Sequence, residues 1–302
     1  MASRSALSLG LVGFGEVGSL VAGGLAEQGL EGIHAFDPQV PDGQLAPLIQ
    51  RRAADTGVRL VSSPRELADS STLILNLTPG GVCVDAARAI AGHLSSDHVY
   101  VDLAAASPAV KRDVGDALAP SGALAADGAI MSPVLHDRHR TLILASGPGA
   151  QMFLDAMSPW HMRIEHVGTT LGAASAIKSM RSVLTKGLEA LLLECVLAST
   201  HYGIEEAVLK SFFHWVDATP FATTANMLLV SDAIHAGRRA HEARESAETI
   251  RDAGLNPVMT TAAAEVLEWS AALDLRSHFG GEVPESYAEV IEAIQRRRSE
   301  EP

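Results

Sequence analysis

Three glycines in a six-residue stretch, directly behind an apolar run, constrain the fold of this chain more than any other feature. Residues 6–12 are apolar without polar alternation, as expected for a strand buried on both faces of a sheet. Gly13, Gly15 and Gly18 follow this run, and residues 19–28 have the pattern of a helix. A strand, a glycine-rich turn and a helix in this order are typical of the first unit of a dinucleotide-binding sheet.

The glycine-rich turn also predicts where the dinucleotide lies. Gly13 permits the tight turn, Gly15 lets the backbone approach the pyrophosphate, and Gly18 lets the helix pack closely on the strand. The helix N-terminus then faces the phosphates. The cofactor-binding residues predicted in this turn are Gly13, Phe14, Gly15, Glu16, Val17 and Gly18.

Asp37 ends the second predicted strand, residues 33–36, and lies 19 residues after Gly18. A carboxylate at this spacing accepts hydrogen bonds from the ribose hydroxyls and repels a 2′-phosphate, so it favours NAD over NADP. The alternative is that Asp37 serves only a turn before Pro38. Arg51 and Arg52 are candidates for holding a 2′-phosphate, with a solvated helix face as the alternative.

Apolar runs and helical stretches alternate along the first half of the chain, which indicates an α/β fold with a Rossmann-type doubly wound parallel sheet. Helices are predicted at residues 64–69 and 82–93. Further strands are predicted at residues 58–61, 72–77 and 98–102, and thinner signals at 123–130, 141–146 and 162–167 extend the sheet.

Two loops that follow predicted strands complete the expected cofactor site. Thr78 and Pro79 come after the fourth strand, and Ala105 comes after the fifth. Ligands of doubly wound sheets bind at the carboxyl ends of the strands. We therefore expect Thr78 and Pro79 to contact the dinucleotide and Ala105 to lie near the nicotinamide, with ordinary turns as the alternative.

The pattern changes after residue 168, because residues 171–202 contain no proline and predict one long helix, which Gly203 ends. Later helices are predicted at 205–216, 220–248, 257–273 and 284–298. The sequence thus predicts two domains. Residues 1–168 form an NAD(P)-binding Rossmann domain, and residues 169–302 form an all-helical domain for substrate binding and dimerisation.

The charge balance and the cysteine count exclude several classes of protein. The net charge of −13 gives no general attraction to nucleic acid or to an anionic membrane. Two cysteines are too few for a disulfide framework, and no HExxH or CxxC spacing predicts a metal site. The first eight residues resemble neither a signal peptide nor a presequence, so a cytoplasmic protein is expected.

Lys178, early in the long helix, is the candidate for acid–base chemistry. Ser182 and Thr185 share its helix face at i+4 and i+7, and Arg181 lies at i+3. A solvated surface lysine is the ordinary interpretation. The alternative is a partly desolvated lysine in a cleft, with a pKa lowered enough for proton transfer.

Two segments, LGLVGFGEVGSLVAGGLAEQG and GAASAIKSMRS, resemble the cofactor signature and the catalytic motif of the β-hydroxyacid dehydrogenase family. This family includes 3-hydroxyisobutyrate dehydrogenase and, more distantly, 6-phosphogluconate dehydrogenase. The second half of the chain is similar to a poorly characterised branch with its own C-terminal helical domain. The resemblance implies that Lys178 is the catalytic lysine and that the protein is a homodimer.

The chain departs from the family pattern around the expected substrate. Ser182 stands where the family has Asn, Met131 and Ser132 lie where it has a carboxylate-binding serine motif, and His241 falls near its later Lys-Asp pair. A loop that commonly carries Ser and Thr has Ala104 and Ala105 instead. The resemblance assigns Met131, Ser132, Ser182 and His241 to the substrate site, and it implies that simple hydroxy acids bind poorly.

The remaining histidines leave alternatives open. His136 and His139 lie near the expected mouth of the cleft, where surface or structural roles are more common than ligand binding. His235, Arg238 and Glu242 form one helix stripe, which is either a solvated face or a cleft wall.

The sequence as a whole predicts an NAD(P)-dependent oxidoreductase that acts on a CH–OH group of a small molecule, with Lys178 as general acid and base. Two alternatives remain: an enzyme of the imine reductase type, and a dinucleotide-binding sensor without turnover.

Overall fold

The structure is a computed structural model that describes residues 7–40 and 42–300. The expected start of the first strand at Ala6 and most of the N-terminal segment considered above lie outside the described residues. The chain divides into two compact units, with the boundary between Ser182 and Val183.

The first unit contains an eight-stranded sheet in the order β3-β2-β1-β4-β5-β6-β7-β8. The strands are β1 (Leu9–Val12), β2 (Ile33–Phe36), β3 (Arg59–Leu60), β4 (Leu73–Asn76), β5 (Val99–Asp102), β6 (Leu124–Ile130), β7 (Ile143–Ser146) and β8 (Ile164–Gly168). The first six strands pair in parallel, and the order reverses between β1 and β4. The predicted Rossmann-type sheet is confirmed.

One strand departs from the parallel arrangement. β7 runs antiparallel to β6, and β8 is parallel to β7. The connection between β6 and β7 is therefore a direct return of the chain, residues 131–142, rather than a full crossover. This return places residues 131–134 at the carboxyl end of β6.

Seven helices accompany the sheet: α1 (Glu16–Glu27), α2 (Ala46–Thr56), α3 (Pro64–Asp69), α4 (Cys83–Ala91), α5 (Pro108–Leu118), α6 (Val134–Asp137) and α7 (Ala150–Met157). The sequence pattern predicts α1, α3 and α4 but not α2, α5, α6 or α7. Local signals for two of these helices are nevertheless present. Proline occupies the first turn of α2 and of α5, and the hydroxyl of Ser107 caps α5 by accepting a hydrogen bond from the Val110 N–H.

Two apolar clusters form the core, one on each face of the sheet. Leu73 and Leu75 of β4 belong to one cluster, and Ile74 between them belongs to the other. This alternation follows from the two-residue period of a strand. Burial on both faces explains why the central strands β1, β4 and β5 are largely apolar.

Two adjacent glycines inside α1 make room for a neighbouring segment. A Cβ at Gly23 would lie 2.7 Å from Nη2 of Arg138, and a Cβ at Gly24 would collide with the ring of His139. Arg138 has a φ of 50° and pairs with Glu27 at 2.6 Å. His139 is buried, and burial lowers the pKa of its imidazole. The chain return after β6 is thus docked on the helix that begins at the glycine-rich turn.

The second unit is helical throughout the part that the structure describes. It contains the remainder of α8 (Ala173–Tyr202), followed by α9 (Glu205–Asp217), α10 (Phe221–Asp252), α11 (Val258–Ala272), α12 (Leu275–His278) and α13 (Tyr287–Glu300). Its core packs around Val230, Ile234, Leu275 and Val290. None of the described helices is long and apolar enough to cross a membrane.

Helix α8 belongs to both units, because its first ten residues pack with the sheet. The Ala174 N–H donates to Oγ of Ser146 at 3.0 Å, and the Ser175 N–H donates to Oδ2 of Asp127 at 2.8 Å. The sheet ends at Gly168, where the sequence places the end of the first domain, but the compact unit continues to Ser182.

We predict that Gly24→Ala destabilises the protein although alanine is the better helix former. The gain in helix propensity is about 1 kcal/mol, whereas displacing His139 costs about 1–3 kcal/mol as overpacking. Gly187→Ala in α8 is the matched control, because nothing lies within 4 Å of its Cβ position. Urea unfolding should show a lower midpoint for Gly24→Ala and an equal or higher one for Gly187→Ala. Equal midpoints for the two variants would contradict the docking of His139 on α1.

Candidate active site

A cavity of about 1000 Å³ opens at the carboxyl ends of the parallel strands, within the first unit. Ligands bind at this edge in doubly wound sheets. Among the residues that the sequence predicts for the site, those that line the cavity are Gly13, Gly15, Glu16, Val17, Asp37, Thr78, Pro79, Ala105, Met131, Ser132 and Lys178. The structure therefore places the expected cofactor residues and the candidate lysine around one space.

The glycine-rich turn has the geometry that a pyrophosphate requires. Gly13 has a φ of 88°, which a residue with a side chain rarely adopts, and its N–H donates to the Phe36 carbonyl at 2.8 Å. A Cβ at Gly18 would lie 2.8 Å from the Gly13 carbonyl oxygen, whereas nothing lies within 4 Å of a Cβ at Gly15. No side chain caps the N-terminus of α1. The open space before uncapped helical N–H groups fits a phosphate.

Two residues of the turn lie beneath it rather than in the cavity. Phe14 is fully buried in the core, and Gly18 is buried where α1 approaches the turn. Their contribution to the site is through packing, because the side-chain space at each position is already filled.

Asp37 joins the turn to the second strand. Its Oδ2 accepts a hydrogen bond from the Phe14 N–H at 2.8 Å, and its Oδ1 accepts one from the Gln39 N–H at 2.9 Å. The residue is 9% exposed and borders the cavity. Because a carboxylate offers about four lone-pair sites, it can accept these bonds and still accept from a ribose hydroxyl.

The loops after β4 and β5 are locked together. Oγ1 of Thr78 donates to Oδ1 of Asn76 at 2.9 Å, and Nδ2 of Asn76 donates to Oδ1 of Asp102 at 2.8 Å. Gly80 passes so close to the Ala105 carbonyl that a Cβ there would collide with it. These contacts fix the two loops that face the cavity opposite the glycine-rich turn.

The chain return after β6 supplies another wall. Met131 is buried, Ser132 and Pro133 are exposed, and all three line the cavity. Nη2 of Arg181 donates to the Met131 carbonyl at 2.7 Å, which ties this wall to α8. Further apolar lining residues, which the sequence analysis does not single out, are Leu45, Leu77, Val82, Leu103, Ile130 and Val134.

Lys178 is half-buried on the first turns of α8 and lines the cavity. Burial lowers the pKa of its amine below the ordinary value, because the charged form is poorly solvated there. The positive charges of Lys111 and Arg181 act in the same direction, and the carboxylate of Asp127 acts against them. Lys178 is thus partly desolvated rather than a fully solvated surface residue.

A buried charged cluster joins Asp102 at the end of β5, Asp127 in the middle of β6 and Lys111 of α5, and the sequence pattern does not predict it. Nζ of Lys111 lies 2.9 Å from Oδ2 of Asp102 and 3.5 Å from Oδ1 of Asp127. All three side chains are at most 1% exposed. The one available signal is weak: Asp102 falls at the end of an apolar strand, where polar residues of a site collect.

Two predicted substrate residues lie elsewhere. Ser182 is half-buried at the end of the first unit and is not among the lining residues of the cavity. His241 belongs to the second unit, where its side chain is 76% exposed and its Nε2 lies 3.5 Å from Oε1 of Glu245. Its neighbour Arg238 pairs with Glu242. The stripe on α10 thus carries exposed charge pairs of the i,i+4 type.

Comparison with known proteins identifies the class. Residues 200–270 match the model of a domain of unknown function, DUF1932. A conserved hypothetical protein from Sinorhizobium meliloti 1021 is 30% identical, with 97% of each chain covered and a TM-score of 0.65. The conserved protein MTH1747, of unknown function and structurally similar to 3-hydroxyacid dehydrogenases, is also 30% identical, over 89% of this chain and 98% of its own, with a TM-score of 0.63.

The chain therefore belongs to this family of 3-hydroxyacid dehydrogenase-like proteins, whose C-terminal domain is DUF1932. The resemblance seen in the sequence is confirmed at the level of the family. The same fold also occurs in proteins of lower sequence identity. An imine reductase from Aspergillus terreus, in complex with NADPH4 and dibenz[c,e]azepine, has a TM-score of 0.71 over 88% of this chain and 94% of its own. At 16% identity this likeness shows the shared fold.

Proposed function

We propose that the protein is an NAD(P)-dependent oxidoreductase that transfers hydride between a nicotinamide ring and a small substrate. The observation that carries this proposal is the shared cavity: the glycine-rich turn, Asp37 and the half-buried amine of Lys178 all face the same space. A sensor that only binds a dinucleotide needs the first two but has no use for a partly desolvated lysine.

The residues of the turn would hold the dinucleotide. The N–H groups at the start of α1 donate to the pyrophosphate, and Asp37 accepts from the ribose of the adenosine half. Thr78, Pro79 and Ala105 bound the space for the other half. When bound, the nicotinamide supplies the chemistry of hydride donation or acceptance.

Lys178 would move the proton that accompanies the hydride. In the oxidative direction its neutral amine accepts the proton of the substrate hydroxyl. In the reductive direction its ammonium donates a proton to the oxygen or nitrogen of the C=O or C=N group that is reduced. The lowered pKa brings both forms of the amine closer to neutral pH, which is where a general acid and base works best.

The substrate side of the cavity favours an apolar group. Ala104, Ala105 and Met131 line it and offer no side-chain donor to a carboxylate. Each such missing bond typically costs 1.5–3 kcal/mol for a charged group, so small hydroxy acids should bind weakly. This apolar lining also favours a second candidate function, imine reduction, which the fold relative from Aspergillus terreus performs by its name.

The wider setting follows from composition. Both cysteines are free, Cys83 buried and Cys195 exposed, which supports a reducing, cytoplasmic location. The net charge of −13 argues against nucleic acid and anionic membranes as partners. The first domain would bind the cofactor, and the helical second domain would contribute to substrate binding and to a homodimer.

We predict that Lys178→Ala reduces kcat/KM by about a hundredfold or more, because the proton relay is lost. NADH fluorescence titration should show binding retained. Lys186→Ala, eight residues further along α8 and exposed, is the matched control and should keep full activity. The assay is NADH absorbance with a panel of hydroxy acids, aldehydes and cyclic imines. Cofactor binding without turnover of any of them would favour the sensor, and full activity of Lys178→Ala would remove the lysine from the mechanism.

We predict that NADH binds at least about tenfold more tightly than NADPH, since Asp37 sets a carboxylate beside the expected 2′-phosphate. Asp37→Asn keeps an acceptor for the Phe14 N–H but removes the charge, and it should narrow the ratio of dissociation constants by about tenfold. Asp42→Asn removes the same charge from the neighbouring loop and should leave the ratio unchanged. Tighter NADPH binding by the unmodified protein would refute this and direct attention to Arg51 and Arg52.

We predict a homodimer, since the second unit exposes many large apolar side chains, which often mark a protein–protein interface. The large apolar side chains that are exposed there include Leu184, Leu193, Phe213, Trp215, Phe221, Val266 and Trp269. Light scattering at micromolar concentration should give twice the mass of one chain. Leu193→Glu should shift the mass towards one chain, whereas Leu135→Glu, in the first unit, should not. A measured mass of one chain at all micromolar concentrations would contradict the predicted homodimer.

A further inference from the structure

The buried cluster contains one more negative charge than positive. The Lys111 ammonium lies 2.9 Å from Oδ2 of Asp102 and also donates to the Asp102 carbonyl at 2.7 Å, so these two residues form a close pair. Asp127 lies further from the ammonium, at 3.5 Å. A buried charge without a partner is costly, so the second carboxylate needs a further source of positive potential.

The carboxylate of Asp127 points to the start of α8. Its Oδ2 accepts from the Ser175 N–H at 2.8 Å, and its Oδ1 accepts from the Ser175 hydroxyl at 2.7 Å. The N-terminus of a helix is positive, which favours an anion at this place. Ser175 lies in the first turn of α8, and Lys178 follows three residues later on the same face.

We propose that Asp127 is the positioning residue for Lys178: its carboxylate fixes the first turn of α8 through Ser175 and supplies the counter-charge for the Lys178 ammonium. This inference rests on the function proposed above, since it concerns the same lysine. With Lys178 protonated, two ammonium groups balance two carboxylates. With Lys178 neutral, the cluster has one negative charge in excess, which draws the proton back.

A purely structural role for Asp127 explains less. The Ala174 N–H already has an acceptor in Oγ of Ser146, and Lys111 is already paired with Asp102. A neutral side chain at position 127 would offer an acceptor to the donors of Ser175 and to the Ser146 hydroxyl, 3.4 Å from Oδ2, without a buried charge. The excess negative charge is explained if it acts on a titrating group nearby, the amine of Lys178.

The charges around Lys178 come from three elements. Lys111 on α5 and Arg181 on α8 lower its amine pKa, together with the larger effect of burial, and Asp127 on β6 is the charge that raises it. Asp102 is paired with Lys111. Removing the charge of Asp127 should therefore lower the pKa of Lys178, whereas removing Lys111 and Asp102 together should not lower it.

The test is the titration of Lys178 itself, measured without substrate. Acetic anhydride labels only neutral amines, and mass spectrometry of the peptide that contains Lys178 gives its labelling rate across about pH 6 to pH 10, with exposed Lys186 as internal reference. In Asp127→Asn the midpoint for Lys178 should fall by on the order of half a unit to one unit, and that for Lys186 should stay. An unchanged Lys178 midpoint in a folded Asp127→Asn protein overturns the proposal, whether or not turnover has been found.

Two further variants separate charge from position. Lys111→Met/Asp102→Asn removes the neighbouring buried pair but keeps the charge of Asp127, so the Lys178 midpoint should not fall. Ser175→Ala keeps every charge but removes one bond to Asp127, so kcat should fall by about tenfold with the dissociation constant for NADH and the Lys178 midpoint unchanged. Should Asp127→Asn fail to fold, Ser175→Ala decides: an unchanged kcat there refutes the positioning role.

Discussion

A continuous line of buried polar contacts holds the edge of the sheet at which the cavity opens. It runs from Thr78 through Asn76 to Asp102 and Lys111, and from there through Asp127 to Ser175 at the start of α8. Buried polar groups are tolerated only when their partners are in place, so such a network specifies one arrangement of its members. The network fixes the two loops after β4 and β5 relative to the first turns of the helix that carries Lys178.

Outside this network, the secondary structure of the chain follows from local sequence patterns. The central strands of the sheet, β1, β4 and β5, were predictable because each is buried on both faces and reads as a largely apolar run. Helices α2, α5 and α7 were not predicted. In α2 and α5 the apolar positions are spaced among many polar residues, whereas α7 is a mostly apolar segment of 8 residues, in which periodicity does not distinguish a helix from a buried strand. The 30 residues of α8 are recognised without difficulty because their helical pattern is uninterrupted.

The candidate site divides in the same way. Gly13, Gly15 and Asp37 act through backbone geometry and sequence spacing, so the sequence alone indicates them. Lys178 needed a family resemblance, because a lysine on a helix is ordinarily solvated. The burial of Lys111 was not predicted for the same reason. It depends on Asp102 and Asp127, which contact the lysine from two different strands. Tertiary neighbours of this kind leave no trace in the local pattern.

The docking of the chain return on α1 has a consequence for how this protein can change over generations. Because Gly24 has no side chain, the ring of His139 fits against the helix there, and the guanidinium of Arg138 fits in the same way at Gly23. The two segments therefore share a single space. A larger residue at position 24 is acceptable only after position 139 has become smaller. If position 24 changed first, the intermediate protein would have a steric clash at α1. Sequences of the family should therefore vary at these two positions together, and the order of the substitutions is set by the packing.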